Sequence, residues 1–209
     1  MNMNNIVIFG GTSGVSQKTI PSLNGNVTAL SSADCDVTNI SDIETKLLGN
    51  NVAIFFSVVN IDNLICNITQ EQLNKQLQVN VNGYVNLLIA ASNVWKETGG
   101  SIIYISSILS SSPIKGTSIY SACKSFGDTM TKVFSMENAR NNIQCNSIQL
   151  GYFDAGLTYK VPEKVLEHVK SSIPLKRLGN CDELASLINS INENPYLTGA
   201  VIKLTGGLQ

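Results

Sequence analysis

Three residues carry the first chemical signal in this chain: Ser107, Tyr120 and Lys124. A tyrosine and a lysine four positions apart share one helix face. Tyr120-Ser121-Ala122-Cys123-Lys124 opens a segment that reads as a long helix. A free phenol titrates near pH ~10, too high for ready proton exchange at neutral pH. An ammonium beside it favours the phenolate and draws that value down. Ser107 closes the apolar run that begins at Ile102, so its hydroxyl stands at a strand end and can hold a carbonyl or alcohol oxygen. Together the three form a proton-transfer site suited to interconverting a carbonyl and an alcohol. The Tyr-Lys spacing alone is weak, since a half-buried tyrosine beside a solvated lysine gives it too. Its weight comes from the elements around it.

Those elements alternate. Apolar runs at 6–9, 27–30, 52–56, 102–105, 143–148 and 200–204 read as buried strands. Helical periodicity fills the gaps at about 15–23, 40–48, 70–95, 118–138 and 181–191, with a short amphipathic helix around Val165, Leu166 and Val169. Strand followed by helix throughout predicts an α/β fold: a doubly wound parallel sheet with helices on both faces. With 209 residues and no interdomain linker, residues 1–209 are expected to form one domain.

The first strand runs into Gly10, Gly11, Thr12, Ser13 and Gly14, and Val15 opens the first helix. Glycines after a strand let backbone approach a pyrophosphate, and a helix N-terminus favours its charge. This is the Rossmann-type context for a dinucleotide. Ser16 takes the third glycine position and is expected to loosen the packing of helix on strand there. Asp36 follows Leu30 by six positions, too few for a full crossover helix. The second and third strands are therefore joined by a short loop, or the third is vestigial; either way the fold is shortened there. Asp36 and Val37 can cap an adenine, or Asp36 and Thr38 can simply open the next helical turn. The position after the second strand reads Ser31-Ser32, with no carboxylate to repel a 2′-phosphate. That leans the cofactor toward NADP(H) over NAD(H).

Composition narrows the partners. Fourteen basic residues face 15 acidic ones with no basic stripe, which argues against nucleic acid or an anionic membrane. No apolar stretch approaches a membrane span. The N-terminus has no positive n-region and its apolar run is too short for a signal peptide. Five scattered cysteines and no export signal point to reduced thiols in a cytoplasm. The single histidine, His168, reads as an exposed helix residue, and no metal site is expected.

Taken together these residues resemble the short-chain dehydrogenase/reductase family over nearly the whole chain. The glycine loop, Asp36-Val37, Asn80 within Val79-Asn80-Val81-Asn82-Gly83, the Ser107-Tyr120 and Tyr120-Lys124 gaps and Gly151 fall in the family's order. So does the tail from Pro174 through Leu197-Thr198-Gly199 to Gly206-Gly207. The resemblance implies that Tyr120 is the general acid of reduction and the base of oxidation. Lys124 tunes it and holds the nicotinamide ribose, Ser107 binds the substrate oxygen, and Asn80 supports a water leading from Lys124. Ser57 would lie beside the cofactor. The segment 152–173 would lid a small carbonyl or alcohol substrate, with Ile108, Leu109, Leu150, Tyr152 and Phe153 lining its pocket; Leu157 and Tyr159 could add to the wall. A homodimer or homotetramer is implied as well. Two departures bear on the cofactor. Phe55-Phe56-Ser57-Val58 replaces the family's Asn-Asn-Ala-Gly, and Ala155 replaces a threonine that bonds the carboxamide. The leading expectation is an NAD(P)-dependent oxidoreductase. An epimerase or dehydratase on the same site, or a non-catalytic nucleotide-binding regulator, are the alternatives.

Overall fold

The computed structural model describes residues 4–12, 14–156, 158 and 163–209. Within them six parallel strands form one sheet in the order β2-β1-β3-β4-β5-β6. The strands are β1 (Asn5–Phe9), β2 (Asn26–Leu30), β3 (Val52–Phe55), β4 (Gly100–Ser107), β5 (Ile143–Leu150) and β6 (Val201–Leu204). The doubly wound α/β expectation holds. The interval after β2 resolves in favour of the vestigial strand: residues 31–39 form none, and β2 is the sheet edge. The chain instead crosses through α2 (Ile40–Leu47), capped by Asn39 accepting from the Ser41 N–H, and re-enters at β3 on the far side of β1.

Alternation along the strands divides the core. Val7, Phe9, Ala53, Phe55, Ile102 and Tyr104 point to the face covered by α2, α4 (Gly83–Val94) and α5 (Ser118–Asn138). Ile6, Ile8, Ile54, Ile103 and Ile148 point to the face covered by α1 (Gly14–Thr19) and α7 (Cys181–Glu193). The remaining helix, α6 (Glu163–Ser172), matches the short amphipathic helix expected there.

The helix expected over 70–95 has a defect in its middle. α3 (Gln70–Leu77) starts from a capping box between Thr69 and Gln72, but Gln78–Asn82 is a π turn before α4 begins. Such turns recur at functional sites because they re-aim side chains. This one carries Asn80, buried to 1% exposure.

Candidate active site

The site forms where the C-terminal end of β4 meets the first two turns of α5. Ser107 is the last residue of β4, and a 3₁₀ turn, Ile108–Ser110, follows it. Its hydroxyl oxygen accepts from the Leu109 N–H at 3.2 Å. Tyr120 and Lys124 project from α5 toward this strand end, and the Ser107 side chain is near enough to the Tyr120 phenol to act on its proton affinity. Lys124 is nearly buried, its Nζ donating to the Ile105 carbonyl at 2.7 Å. The ammonium also lies 4.9 Å from the Tyr104 ring centre and 5.8 Å from that of Tyr120. Tyr104 reaches this position because α5 carries Gly127, where a methyl would overlap the Tyr104 ring. An aromatic cluster of Phe55, Tyr84 and Tyr104 backs it, with centroids 4.2 to 6.2 Å apart.

Burial corrects the expected electrostatics. The Tyr120 phenol is held above its ordinary value, chiefly by burial; the Ser107 side chain opposes this and the Asp62 charge adds to it. Lys124 is pushed down to about 8, again by burial, with the Asp128 charge working the other way. The expected lowering of the phenol by Lys124 is therefore not what dominates in the protein alone, because the ammonium turns to Ile105 and Tyr104. At neutral pH the pair stands as phenol and ammonium.

Asn80 joins the site from the π turn, but its side chain is already occupied. Its Oδ1 accepts from the Val59 N–H at 2.8 Å and its Nδ2 donates to the Val59 carbonyl at 2.7 Å. The Cys123 thiol bonds it as well. Asn80 thus pins the segment after β3 to the helix that carries it.

The crevice for a dinucleotide lies between β1 and β3, where strand order reverses. Gly10 has φ +78°, and a Cβ there would come 2.7 Å from the Ser57 nitrogen. Backbone meets backbone at this point, so the loop after β1 lies directly against the segment after β3. Gly14 packs so closely on the Gly156 backbone that a Cβ at position 14 would overlap it. Thr12 and Val15 flank this loop; Ser13 lies outside the described residues. Ser16 does not loosen the packing: it is buried and its hydroxyl donates to the Gly10 carbonyl at 2.9 Å. Phe55 lies in the core beside Tyr84 and Tyr104, and Phe56 packs toward the opposite face. Hence Phe55 does not intrude on the crevice.

Other expected residues are placed as follows. Asp36 Oδ1 accepts from the Thr38 N–H and hydroxyl, a local turn, and Val37 is buried under Gly83. Ser31 donates both its N–H and its hydroxyl to Asp34 Oδ2, so a carboxylate does stand at the end of β2. Gly151 is needed by packing, since a Cβ would come 2.8 Å from the Thr205 Cα. Ile108 is buried beneath the Ser107 turn, while Leu109, Leu150 and Tyr152 are half-buried. Phe153 is a correction. It is 3% exposed within the α7-side core and wedged against Gly179, so it does not form a substrate wall. Ala155 is buried in the same core. Leu157 and Tyr159 lie outside the described residues. A cleft of about 620 Å³ also misses the chemistry. Its floor is Ser118, Ser121, Ala122 and Ser125, the side of α5 turned away from Tyr120 and Lys124. Sequence reasoning missed Tyr104 and Asp128. The second could have been found, because it repeats the four-residue spacing of Tyr120 and Lys124.

The profile of a family described as enoyl-(acyl carrier protein) reductase matches residues 16–209. The chain is 32% identical to a mouse 3-oxoacyl-[acyl-carrier-protein] reductase over 202 residues, 93% of this chain and 83% of that one. It is likewise 32% identical to the human 3-oxoacyl-[acyl-carrier-protein] reductase, over 84% of this chain and 76% of that one. Among solved structures it superimposes on a small-chain dehydrogenase in complex with NADPH, with a TM-score of 0.87 and 20% identity. That match covers 99% of this chain and 98% of the other.

Proposed function

The chain belongs to the short-chain dehydrogenase/reductase family of nicotinamide-dependent oxidoreductases, and on that premise we propose that it reduces a small ketone to a secondary alcohol at Ser107, Tyr120 and Lys124. The observation that carries this reading is that Ser107, at the end of β4, and Tyr120, on α5, come together beside a buried Lys124 whose Nζ lies 5.8 Å from the Tyr120 ring centre. A bound nicotinamide supplies the hydride, transferred directly to the carbonyl carbon. The protein's work is to place the carbonyl and move a proton. Ser107 donates to the carbonyl oxygen and orients it. Tyr120, a neutral phenol at neutral pH, gives that oxygen its proton as charge develops there. Lys124 holds positive charge next to the phenol while the proton leaves, and its ammonium would bond a ribose hydroxyl of the bound cofactor. Asn80 fixes the loop after β3 and supports a water behind Lys124.

The raised phenol and the charged lysine favour reduction below about pH 8, where Lys124 keeps its proton. Oxidation needs the phenolate and gains as pH rises. In the cofactor crevice the reading assigns Gly10, Thr12, Ser13, Gly14 and Val15 to the pyrophosphate, Asp36 and Val37 to the adenine, Ser31 to the adenosine ribose, and Ser57 and Gly151 to the nicotinamide end. For the cofactor, NADP(H) is the lean from Ser31, with Asp34 as a counterweight. Residues 152–173 act as the substrate lid of a single domain. Among the described residues no helix is long and apolar enough to cross a membrane. A cytoplasmic homo-oligomer is the working state.

The relatives' names make 3-oxoacyl thioesters the first substrates to test. Acetoacetyl-CoA with NADPH or NADH should be reduced stereospecifically. Tyr120→Phe should bind cofactor as wild type does and lose at least about 10²-fold in turnover. Undiminished turnover in that variant would remove Tyr120 from the mechanism.

A further inference from the structure

Asp128 is a buried charge for which this chemistry has not yet accounted. It lies on α5 four residues beyond Lys124 and is 7% exposed. Three donors converge on its carboxylate. The Ser147 hydroxyl reaches Oδ1 at 2.6 Å, and the Ser110 hydroxyl and the Gln149 amide reach Oδ2 at 2.6 and 2.8 Å. The Gln149 amide also donates to the Ser110 oxygen at 2.7 Å, which fixes that hydroxyl as a donor to Asp128. An all-donor shell suits an ionised carboxylate. These partners sit on β5 and on the 3₁₀ turn just after Ser107.

Building on the Ser107-Tyr120-Lys124 reading above, we propose that Asp128 is a positioning residue of this site: the fixed counter-charge that keeps Lys124 an ammonium, tied through Ser110 to the turn that follows Ser107. Helical rise places Asp128 about 6 Å along the axis from Lys124 and about 12 Å from Tyr120. Its field therefore falls mainly on the lysine. At an effective dielectric near ~20 the pull is equivalent to about one to two pH units on Lys124.

The other groups around Lys124 do not supply this charge. Tyr104 on β4, Tyr84 on α4, Cys145 on β5 and the adjacent Cys123 are all pushed up by burial and stay neutral. Asp62, which acts on Tyr120, is exposed. Lys124 itself is desolvated, and the direct hydrogen bond from its Nζ goes to a neutral carbonyl. The Tyr104 ring and the Ile105 carbonyl favour the ammonium as neutral groups, and among the carboxylates near it Asp128 is the buried one.

Asp128→Asn tests this with little change of shape. The amide oxygen can keep Ser110 and Gln149, and the amide nitrogen can donate to a Ser147 hydroxyl that turns to accept. The direct readout needs neither substrate nor cofactor: a pH titration by NMR of ¹³C-labelled lysine, with the Lys124 signal identified by its absence from Lys124→Met. The Lys124 midpoint should fall by about one to two units in Asp128→Asn and stay in place in Ser147→Ala, which keeps the carboxylate. An unmoved midpoint in Asp128→Asn overturns the proposal. With acetoacetyl-CoA and reduced nicotinamide, the alkaline limb of the rate profile should shift down by the same amount. The loss at about pH 8 should then be roughly tenfold and disappear by about pH 6. A uniform loss at every pH marks a merely structural residue and overturns the proposal as well. Tyr120→Phe separates the two readings. If it turns over undiminished, the catalytic reading falls; if it is inactive and the Asp128→Asn limb is unmoved, the counter-charge alone falls. Should Asp128→Asn not fold, Asp128→Ser removes the charge and leaves room for water. In the wild-type protein a Lys124 amine already neutral at pH 7 overturns the proposal whatever the variants do.

Discussion

Replacing Lys124 with methionine should make the protein more stable while stopping its chemistry. The wild-type ammonium sits in a nearly dry site, where burial takes it from an ordinary 10.5 to about 8. Each unit is worth about 1.4 kcal/mol between protonation states, so at neutral pH the folded chain carries roughly 3 kcal/mol for keeping this proton. Methionine has similar reach, packs well on an aromatic face and carries no charge. It forfeits the Nζ bond to the Ile105 carbonyl, worth about 1 kcal/mol. The expected net gain is about 2 kcal/mol, or about 4–8 °C in Tm for a domain of this size. The size of the gain depends on pH, and on these figures it is gone by about pH 9.5. Below about 8 the lysine is charged in both states and the folded state bears the full cost. Between about 8 and 10.5 the folded chain has shed a proton that the unfolded chain still binds, so wild-type stability climbs with pH and the variant's advantage shrinks. Denaturant melts of both proteins at about pH 7 and pH 10 would measure it, with turnover followed in parallel. A variant less stable than wild type at pH 7, or an advantage that ignores pH, would refute the claim that Lys124 is held charged at a cost.

Two further variants test how nearby positions were assigned. Phe153→Ala should cost about 3–5 kcal/mol of stability through the cavity it leaves against Gly179, readable as a lower denaturant midpoint; a wild-type melt with only KM altered would return Phe153 to the substrate wall. Asp34→Ala removes the carboxylate that holds Ser31 and should tighten NADPH relative to NADH, most strongly at low salt. Fluorescence titration of both cofactors would show it, and an unchanged ratio would mean that Asp34 does not face the adenosine ribose.

Much of this molecule was legible in one dimension, for identifiable physical reasons. Buried parallel strands must be continuous apolar runs, so 6–9, 52–56 and 143–148 stood out, and period alone located α5. The catalytic spacing was legible because a helix converts a gap of four into a shared face. What stayed hidden depends on three-dimensional neighbours. The π turn at Gln78–Asn82 has no signature in a stripe of leucines and valines; it exists because Asn80 must reach Val59, a residue 21 positions earlier. Phe153 reads as a pocket residue until Gly179 is seen to leave room for its ring. Asp34 is three residues past the position where cofactor choice is usually read, and only the fold back to Ser31 brings it there.

The electrostatics were the least legible part, because proximity and burial act in opposite directions on the same groups. Spacing says that Lys124 should pull the Tyr120 proton off. Burial says that both groups resist charge, and in the protein alone burial is the larger effect. Tyr104 and Asp128 decide how far this goes, one as the aromatic face under the ammonium and one as the carboxylate a turn away. A tyrosine in a strand is ordinary, and the four-residue step from Lys124 is the sequence's one hint of Asp128. Gly127 is the one residue that betrays the arrangement, since a glycine in the interior of a 21-residue helix is costly unless something must approach closely, and here that is the Tyr104 ring. On the proposed mechanism this buried surround favours reduction. A phenol that keeps its proton beside a lysine that still holds its own is ready to give a proton to a carbonyl oxygen at neutral pH, and must first lose one before it can take a proton from an alcohol.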